Sequence, residues 1–177
     1  MAGLPIPREA LELLARAGCT PPVIEHCKAV SQLAVEFAKR AKAQGMNVDI
    51  DLVRVGGLLH DIGRSKSHSV DHGVRGGEIA SSLGLSEPLK LIIERHVGSG
   101  IPAKEAAELG LPQRDFVPVS LEEKIVSYAD KIVEGKRRKS FDVTLDRFAK
   151  ELGSSHPAIA RLRRLHDELA KVVEEPL

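Results

Sequence analysis

Apolar positions recur along this chain with the 3.6-residue period of a helix almost from end to end, and no stretch alternates convincingly with the period of two that a strand needs. Leu11, Leu14 and Ala15 predict a short first helix that Gly18 stops. Pro21 and Pro22 introduce a longer one, on which Val23, Val30, Leu33, Ala34, Phe37 and Ala38 share a face before Gly45 ends it. A third helix begins at Asp49 or Asp51, either of which can cap it. It runs through Leu52, Val55, Leu58 and Leu59 to the dipeptide His60-Asp61, and Gly63 is expected to stop it in the left-handed conformation. Residues 64–69 are polar and read as a loop. A fourth helix starts around Asp71 and holds Val74, Ile79 and Leu83. A fifth opens on Ser86-Glu87-Pro88, carries Leu89, Ile92 and Ile93, and ends near His96.

Residues 100–120 are less regular. A short helix is expected at 103–107, and the length and turn-former content of the whole segment suggest a mobile lid. Ser120 and Glu123 then form a capping box that opens a sixth major helix through Ile125, Ala129, Ile132 and Val133. Residues 141–152 and 157–173 read as two terminal helices. The expectation is an all-α protein, one helical-bundle domain over residues 1–177, with a functional core at about 22–140 and C-terminal helices at 141–175.

Composition adds boundaries. The chain has 177 residues, 42% apolar and 29% charged, enough for one domain with its own core. The formal net charge of +1 announces no polyanionic partner. No apolar run is long enough to span a bilayer, and residues 1–8 lack the layout of a signal peptide. Cys19 and Cys27 make no metal-finger or redox spacing and fit the reduced thiols of a cytoplasmic protein.

Three polar features sit awkwardly in the amphipathic scheme. His26 aligns with Val30, Leu33 and Phe37 on the inner face of the second helix. His60-Asp61 follows the apolar pair Leu58-Leu59. Asp130 aligns with Val126. Buried imidazoles and carboxylates are costly without partners. One divalent cation would satisfy all of them. Neighbours inside a helix diverge by about 100°, but a turn at a helix end can bring His60 and Asp61 onto one ion.

The ordered set His26, His60-Asp61-Ile62-Gly63 and Asp130 resembles the HD-domain metal-dependent phosphohydrolases in their HD-Ile-Gly form, over about residues 22 to 140. That resemblance implies an all-helical fold and a divalent metal on His26, His60, Asp61 and Asp130. It also implies hydrolysis of a phosphoester or phosphoanhydride, often in a nucleotide. His72 and His96 stand where the binuclear branch of the family holds a second metal, with Asp61 then bridging and the expected catalytic residue. The layout is similar to that of bacterial HD-type hydrolases of diadenosine tetraphosphate, with Ser127-Tyr128-Ala129-Asp130-Lys131 around the last ligand and Arg64 where a lysine is common. Mixed nitrogen and oxygen ligands suit Fe, Mn, Ni, Co, Zn or Mg.

Arg64, Lys66, Arg75 and Lys131 are the expected substrate contacts, because each lies near one of these positions and phosphate chemistry needs cations. The bland readings stand beside these. His68, His156 and His166 are expected to be solvated, and Cys27 to be a buried thiol. Lys136-Arg137-Arg138-Lys139 is most simply a solvated basic face. With one Tyr, four Phe and no Trp, stacking platforms for single-stranded nucleic acid are scarce. A metal- or nucleotide-binding regulatory module without turnover is the alternative to an enzyme. The oligomeric state is open.

Overall fold

The computed structural model describes residues 3–173. Among them, nine α-helices and one two-stranded hairpin follow in the order α1 (Pro7–Ala17), α2 (Pro21–Ala43), α3 (Ile50–Leu59), α4 (His72–Ser82), α5 (Glu87–Arg95), α6 (Ala103–Glu108), α7 (Leu121–Ile132), β1 (Val133–Glu134), β2 (Arg137–Arg138), α8 (Phe141–Leu152) and α9 (Pro157–Val173). A 3-10 helix, Ile62–Ser65, lies between α3 and α4. The helix ends fall where local chemistry puts them. Gly18 caps α1 in the left-handed region, with φ of 97°. The Asp49 side chain accepts from the N–H groups of Asp51 and Leu52 at the start of α3. Ser120 accepts from the Glu123 N–H at the start of α7, while the Glu123 carboxylate turns to the Val119 N–H and to Arg95. The mostly helical single domain expected from periodicity is therefore what the chain forms. The expected extension of the last helix to 175 lies outside the described residues.

Two apolar clusters fill the interior and meet at α3. One gathers Val30, Leu33, Phe37, Val53, Ile92, Ile125, Val126 and Tyr128 with Leu165 and Leu169 of α9. The other gathers Leu14, Cys27, Val55, Leu58, Leu59, Ile62, Leu89 and Ile93. Each large side chain fully buried here is worth about 1.5–3 kcal/mol. Helix α3 is thus buried along most of its length, with Asp51 and Arg54 at its exposed edge. Gly57 lets it approach α2, since a Cβ there would stand 2.6 Å from the Ser31 Cα.

Several details depart from expectation. Gly63 is not a left-handed stop, because its φ is not positive. It sits inside the 3-10 helix, which takes up the first third of the expected loop. A side chain is excluded by packing: a Cβ on Gly63 would lie 1.8 Å from the His72 carbonyl oxygen. The basic run Lys136-Arg137-Arg138-Lys139 forms much of the β1–β2 hairpin, whose pairing joins Val133 to Arg138 and Glu134 to Arg137. Such a two-residue ladder is too short to leave a period-two signature. The segment 100–120 is packed against the body. Ile101 and Phe116 exchange backbone hydrogen bonds, Glu105 takes a double hydrogen bond from Arg161, and Arg114 pairs with buried Glu94 at 3.0 Å. Its apolar side chains form their own cluster around Phe116. No helix of the described residues is long and apolar enough to cross a membrane.

Candidate metal centre

Helix α3 ends at Leu59, His60 is its C-cap, and Asp61 heads the 3-10 helix. This change of helical path at one residue aims two adjacent side chains into the same space. Helix α2 contributes His26, the first turn of α4 contributes His72, the C-cap of α5 contributes His96 and α7 contributes Asp130. The six residues that the sequence nominates are brought together by five α-helices and the 3-10 helix. His60, His72, His96 and Asp61 are buried, and His26 and Asp130 are half-buried at the mouth.

Asp61 and Asp130 organise two overlapping groups. Asp130 Oδ1 lies 2.9 Å from His26 Nε2 and 3.3 Å from His60 Nε2. Asp61 Oδ1 lies 3.2 Å from His72 Nε2 and 3.3 Å from His96 Nε2, and Asp61 Oδ2 is 3.7 Å from His60 Nε2. Donor atoms of His26, His60 and Asp130 fall within 4.8 Å of one another, as do those of His60, Asp61 and His96.

The outward nitrogens fix the chemistry of the inward ones. The Nδ1 of His60 meets the Gly57 carbonyl at 2.8 Å, that of His72 the Ser69 carbonyl at 2.7 Å, that of His96 the Ile93 carbonyl at 2.7 Å and that of His26 the Gly135 carbonyl at 3.0 Å. A carbonyl can only accept, so each Nδ1 carries hydrogen, and in the neutral ring each Nε2 presents a lone pair. With all four rings neutral, four such lone pairs would converge on carboxylate oxygens that also only accept. His60 Nε2 is fully buried without a hydrogen-bond partner. Divalent cations resolve this arrangement, and the residues present fit them.

Without a metal the charges of the cluster shift strongly. Burial opposes charging His60, but the neighbouring Asp61 and Asp130 carboxylates outweigh it and raise its pKa well above the usual histidine value. Burial pushes His96 down to about 4, against the pull of its bond to Asp61. Burial disfavours the charged form of Asp61, yet His60, His72 and His96 hold its pKa well below normal. For Asp130, Lys131 and His60 likewise overcome burial and hold the carboxyl well below normal. Perturbations of this kind cluster at functional sites.

All of the cluster except the fully buried His60 lines an open cavity of about 290 Å³, together with Arg64, Lys131 and Arg147, with Val97, Gly98, Val133 and Phe148 completing its walls. Arg64 Nε donates to Asp61 Oδ1 at 3.2 Å, and Lys131 pairs with Asp130 Oδ2. Two expected substrate contacts are not brought here. Arg75 is engaged by Asp71 and Glu78 at 3.3 and 3.2 Å, and it lines a separate cavity with Lys66. Arg75 is one turn beyond His72, but its guanidinium is half-exposed and held at the surface by those two carboxylates. His68 is exposed and Cys27 is buried in the second apolar cluster. His166 departs from its solvated reading: its ring stacks on Phe141 at 3.7 Å and its Nδ1 bonds the Tyr128 hydroxyl at 2.6 Å.

Comparison with known proteins agrees with this geometry. Residues 23–134 match the HD domain family, and the chain belongs to that family. It is 50% identical, over 88% of its length and 92% of the relative's, to an uncharacterized protein of Methanocaldococcus jannaschii. It is 36% identical to a tRNA (cytidine(56)-2'-O)-methyltransferase of Thermoplasma volcanium, over 98% of this chain but only 49% of that protein, so it spans about half of the enzyme. It is 32% identical to ribonuclease Y of Pseudothermotoga lettingae over 72% of this chain and 22% of the relative. The fold is that of the HD domain of the L. monocytogenes phosphodiesterase PgpH in complex with cyclic-di-AMP, with a TM-score of 0.53, 18% identity and coverage of 96% and 99% of the two chains.

Proposed function

We propose that this chain is a metal-dependent phosphohydrolase that cleaves a phosphoester or phosphoanhydride of a nucleotide or a related small phosphorylated metabolite. One observation supports this above the rest: four imidazoles converge on two carboxylates at the base of a cavity with a cationic rim. His26, His60, Asp61 and Asp130 would hold one divalent ion. Asp61, His72 and His96 would hold a second, with Asp61 shared. Bound divalent ions supply a water of lowered pKa and polarise a phosphoryl oxygen.

The chain's own residues do the rest. The Nδ1–carbonyl bonds keep the imidazoles aimed at the cluster before any ligand arrives. Arg64, Lys131 and Arg147 would neutralise the phosphate and the charge that grows on it during cleavage. Lys66 and Arg75 have no part in this reading. Val97, Val133 and Phe148 exclude water from one side of the substrate, which strengthens those charge contacts.

The relatives widen the choice of substrate. A phosphodiesterase with bound cyclic-di-AMP and a ribonuclease both point to phosphodiesters, beside the diadenosine tetraphosphate suggested by the sequence layout. The decisive assay reloads purified protein with Mn²⁺, Co²⁺ or Fe²⁺ and offers nucleoside mono-, di- and polyphosphates, cyclic dinucleotides and short RNA. Hydrolysis of at least one class is expected. No turnover of any of them by protein with metal bound would overturn the reading in favour of a regulatory module.

A further inference from the structure

We infer that α8 supplies the substrate-selecting wall of the cavity, with Phe148 stacking on a nucleobase and Arg147 holding the phosphate attached to it. The preferred substrate then presents one nucleobase beside the scissile phosphate. This rests on the phosphohydrolase reading and deepens it.

Both residues lie outside the segment that matches the HD domain family, which ends at residue 134. They are nevertheless part of the cavity that holds the histidine–aspartate cluster. The docking of α8 is specific. Ser140 caps it, the Phe141 ring stacks on His166, and Arg147 reaches back to the Lys131 carbonyl at 3.3 Å. Arg147 is 35% exposed, and its nearest carboxylate, Glu134, stands 3.9 Å away. A guanidinium has five N–H donors, so these contacts leave several for a phosphate oxygen.

Phe148 is half-buried. It packs on the Leu145, Ile159 and Leu162 cluster and also borders the cavity. Gly98, another wall residue, has no side chain to occupy the space, and a Cβ there would meet nothing. The Arg147 guanidinium lies over the Phe148 ring, 5.3 Å from its centroid, so a planar π-bearing group joined to an anion can take the guanidinium's place on the ring while the guanidinium turns to the anion. Nucleobases joined to phosphate have this form. The volume of about 290 Å³ sits at the low end for small-molecule sites. It suits one nucleoside phosphate unit, and a longer substrate would extend outward past the cavity mouth.

Binding by isothermal titration tests this on the Mn²⁺-loaded protein, with AMP, CMP, GMP and UMP compared against ribose 5-phosphate. Wild type should bind at least one nucleotide roughly tenfold or more tighter than the sugar phosphate, the scale of one stacked base. Phe148→Leu keeps an apolar side chain on the α8–α9 cluster and should abolish that margin, weakening the nucleotides far more than ribose 5-phosphate. Phe148→Tyr should restore it. Arg147→Gln should weaken both ligand types together. An unchanged margin in Phe148→Leu overturns the inference. So does wild-type protein that binds ribose 5-phosphate as well as every nucleotide, and this leaves the phosphohydrolase reading standing. Binding of none of the five ligands, with hydrolysis in the substrate assay intact, overturns the inference alone. The same silence with no hydrolysis overturns both.

Discussion

His72 Nε2 and His96 Nε2 face each other across 3.0 Å, although the Nδ1 of each ring is already committed to a backbone carbonyl. Two neutral imidazoles so arranged would oppose lone pair to lone pair, and both also face Asp61 Oδ1. Either a proton or a metal ion must lie among them. The same conflict recurs at His26, His60 and Asp130.

Metal binding should release protons. Without metal, His60 is held in its charged form by Asp61 and Asp130 against the cost of burial, so a metal must displace its proton. Titration calorimetry of the chelated protein with Mn²⁺ in buffers of different ionisation enthalpy should give a buffer-dependent heat corresponding to proton release. A heat independent of buffer would contradict the assignment of His60. Metal present at a hundred times its Kd should raise stability by about 2.7 kcal/mol, read as a higher Tm.

The chelated protein should lose stability in two acid ranges. His96 is pushed by burial from 6.5 to about 4, so the unfolded chain takes up a proton more readily than the folded one. Its contribution is full above 6.5 and is lost as pH falls toward 4. Asp61 and Asp130 have lowered values too, so their contribution is full above the normal 3.8 and lost at lower pH. His60 has the opposite sign: its raised value stabilises below 6.5, and that contribution disappears as pH rises through the folded value. Urea midpoints across pH 3–8 check this, and a midpoint that stays flat between pH 6.5 and 4 would count against a buried neutral His96.

Gly63→Ala should be severely destabilising, by about 1–3 kcal/mol or more, because the added methyl meets the His72 carbonyl and must push α4 away from the 3-10 helix. The displacement would also move His72 relative to Asp61. Urea unfolding and metal affinity should fall together. A fully stable variant with normal metal affinity would refute the close approach.

Much of this architecture is legible from periodicity and caps. The boundaries of α8 and α9 and the N-terminal caps of α3 and α7 follow from local chemistry alone. The six clustered side chains are legible because buried polar residues stand out against an apolar face. What was hidden depends on packing between distant elements. Gly63 looks like a turn glycine, yet its role is set by α4 nine residues later. Arg147 and Phe148 occupy ordinary positions of an amphipathic helix, and only the docking of α8 carries them to the cavity. His166 has no local mark of its stack with Phe141. Lys66 and Arg75 lie near the clustered residues along the chain, but Lys66 follows the 3-10 helix and Arg75 is held by Asp71 and Glu78, and both line a separate cavity.

Cys19 should be an inert thiol in the folded protein. Burial, with a contribution from Cys27, pushes its pKa up to about 11, so on the order of one molecule in a thousand is thiolate at pH 8. Iodoacetamide at pH 8 should label it slowly in native protein and rapidly in urea. Rapid labelling of the native state would show that the thiol is more exposed than its packing against the Ile62 carbonyl implies.

Six side chains from five α-helices and the 3-10 helix are proposed to form a divalent metal centre. Metal analysis of anaerobically purified protein, combined with anomalous scattering from its crystals, tests it most directly. The expected result is a pair of anomalous peaks, one among His26, His60, Asp61 and Asp130 and one among Asp61, His72 and His96, with both lost in Asp61→Ala. Protein that stays metal-free after reloading with Mn²⁺, Co²⁺ or Fe²⁺, or peaks away from these residues, would contradict it.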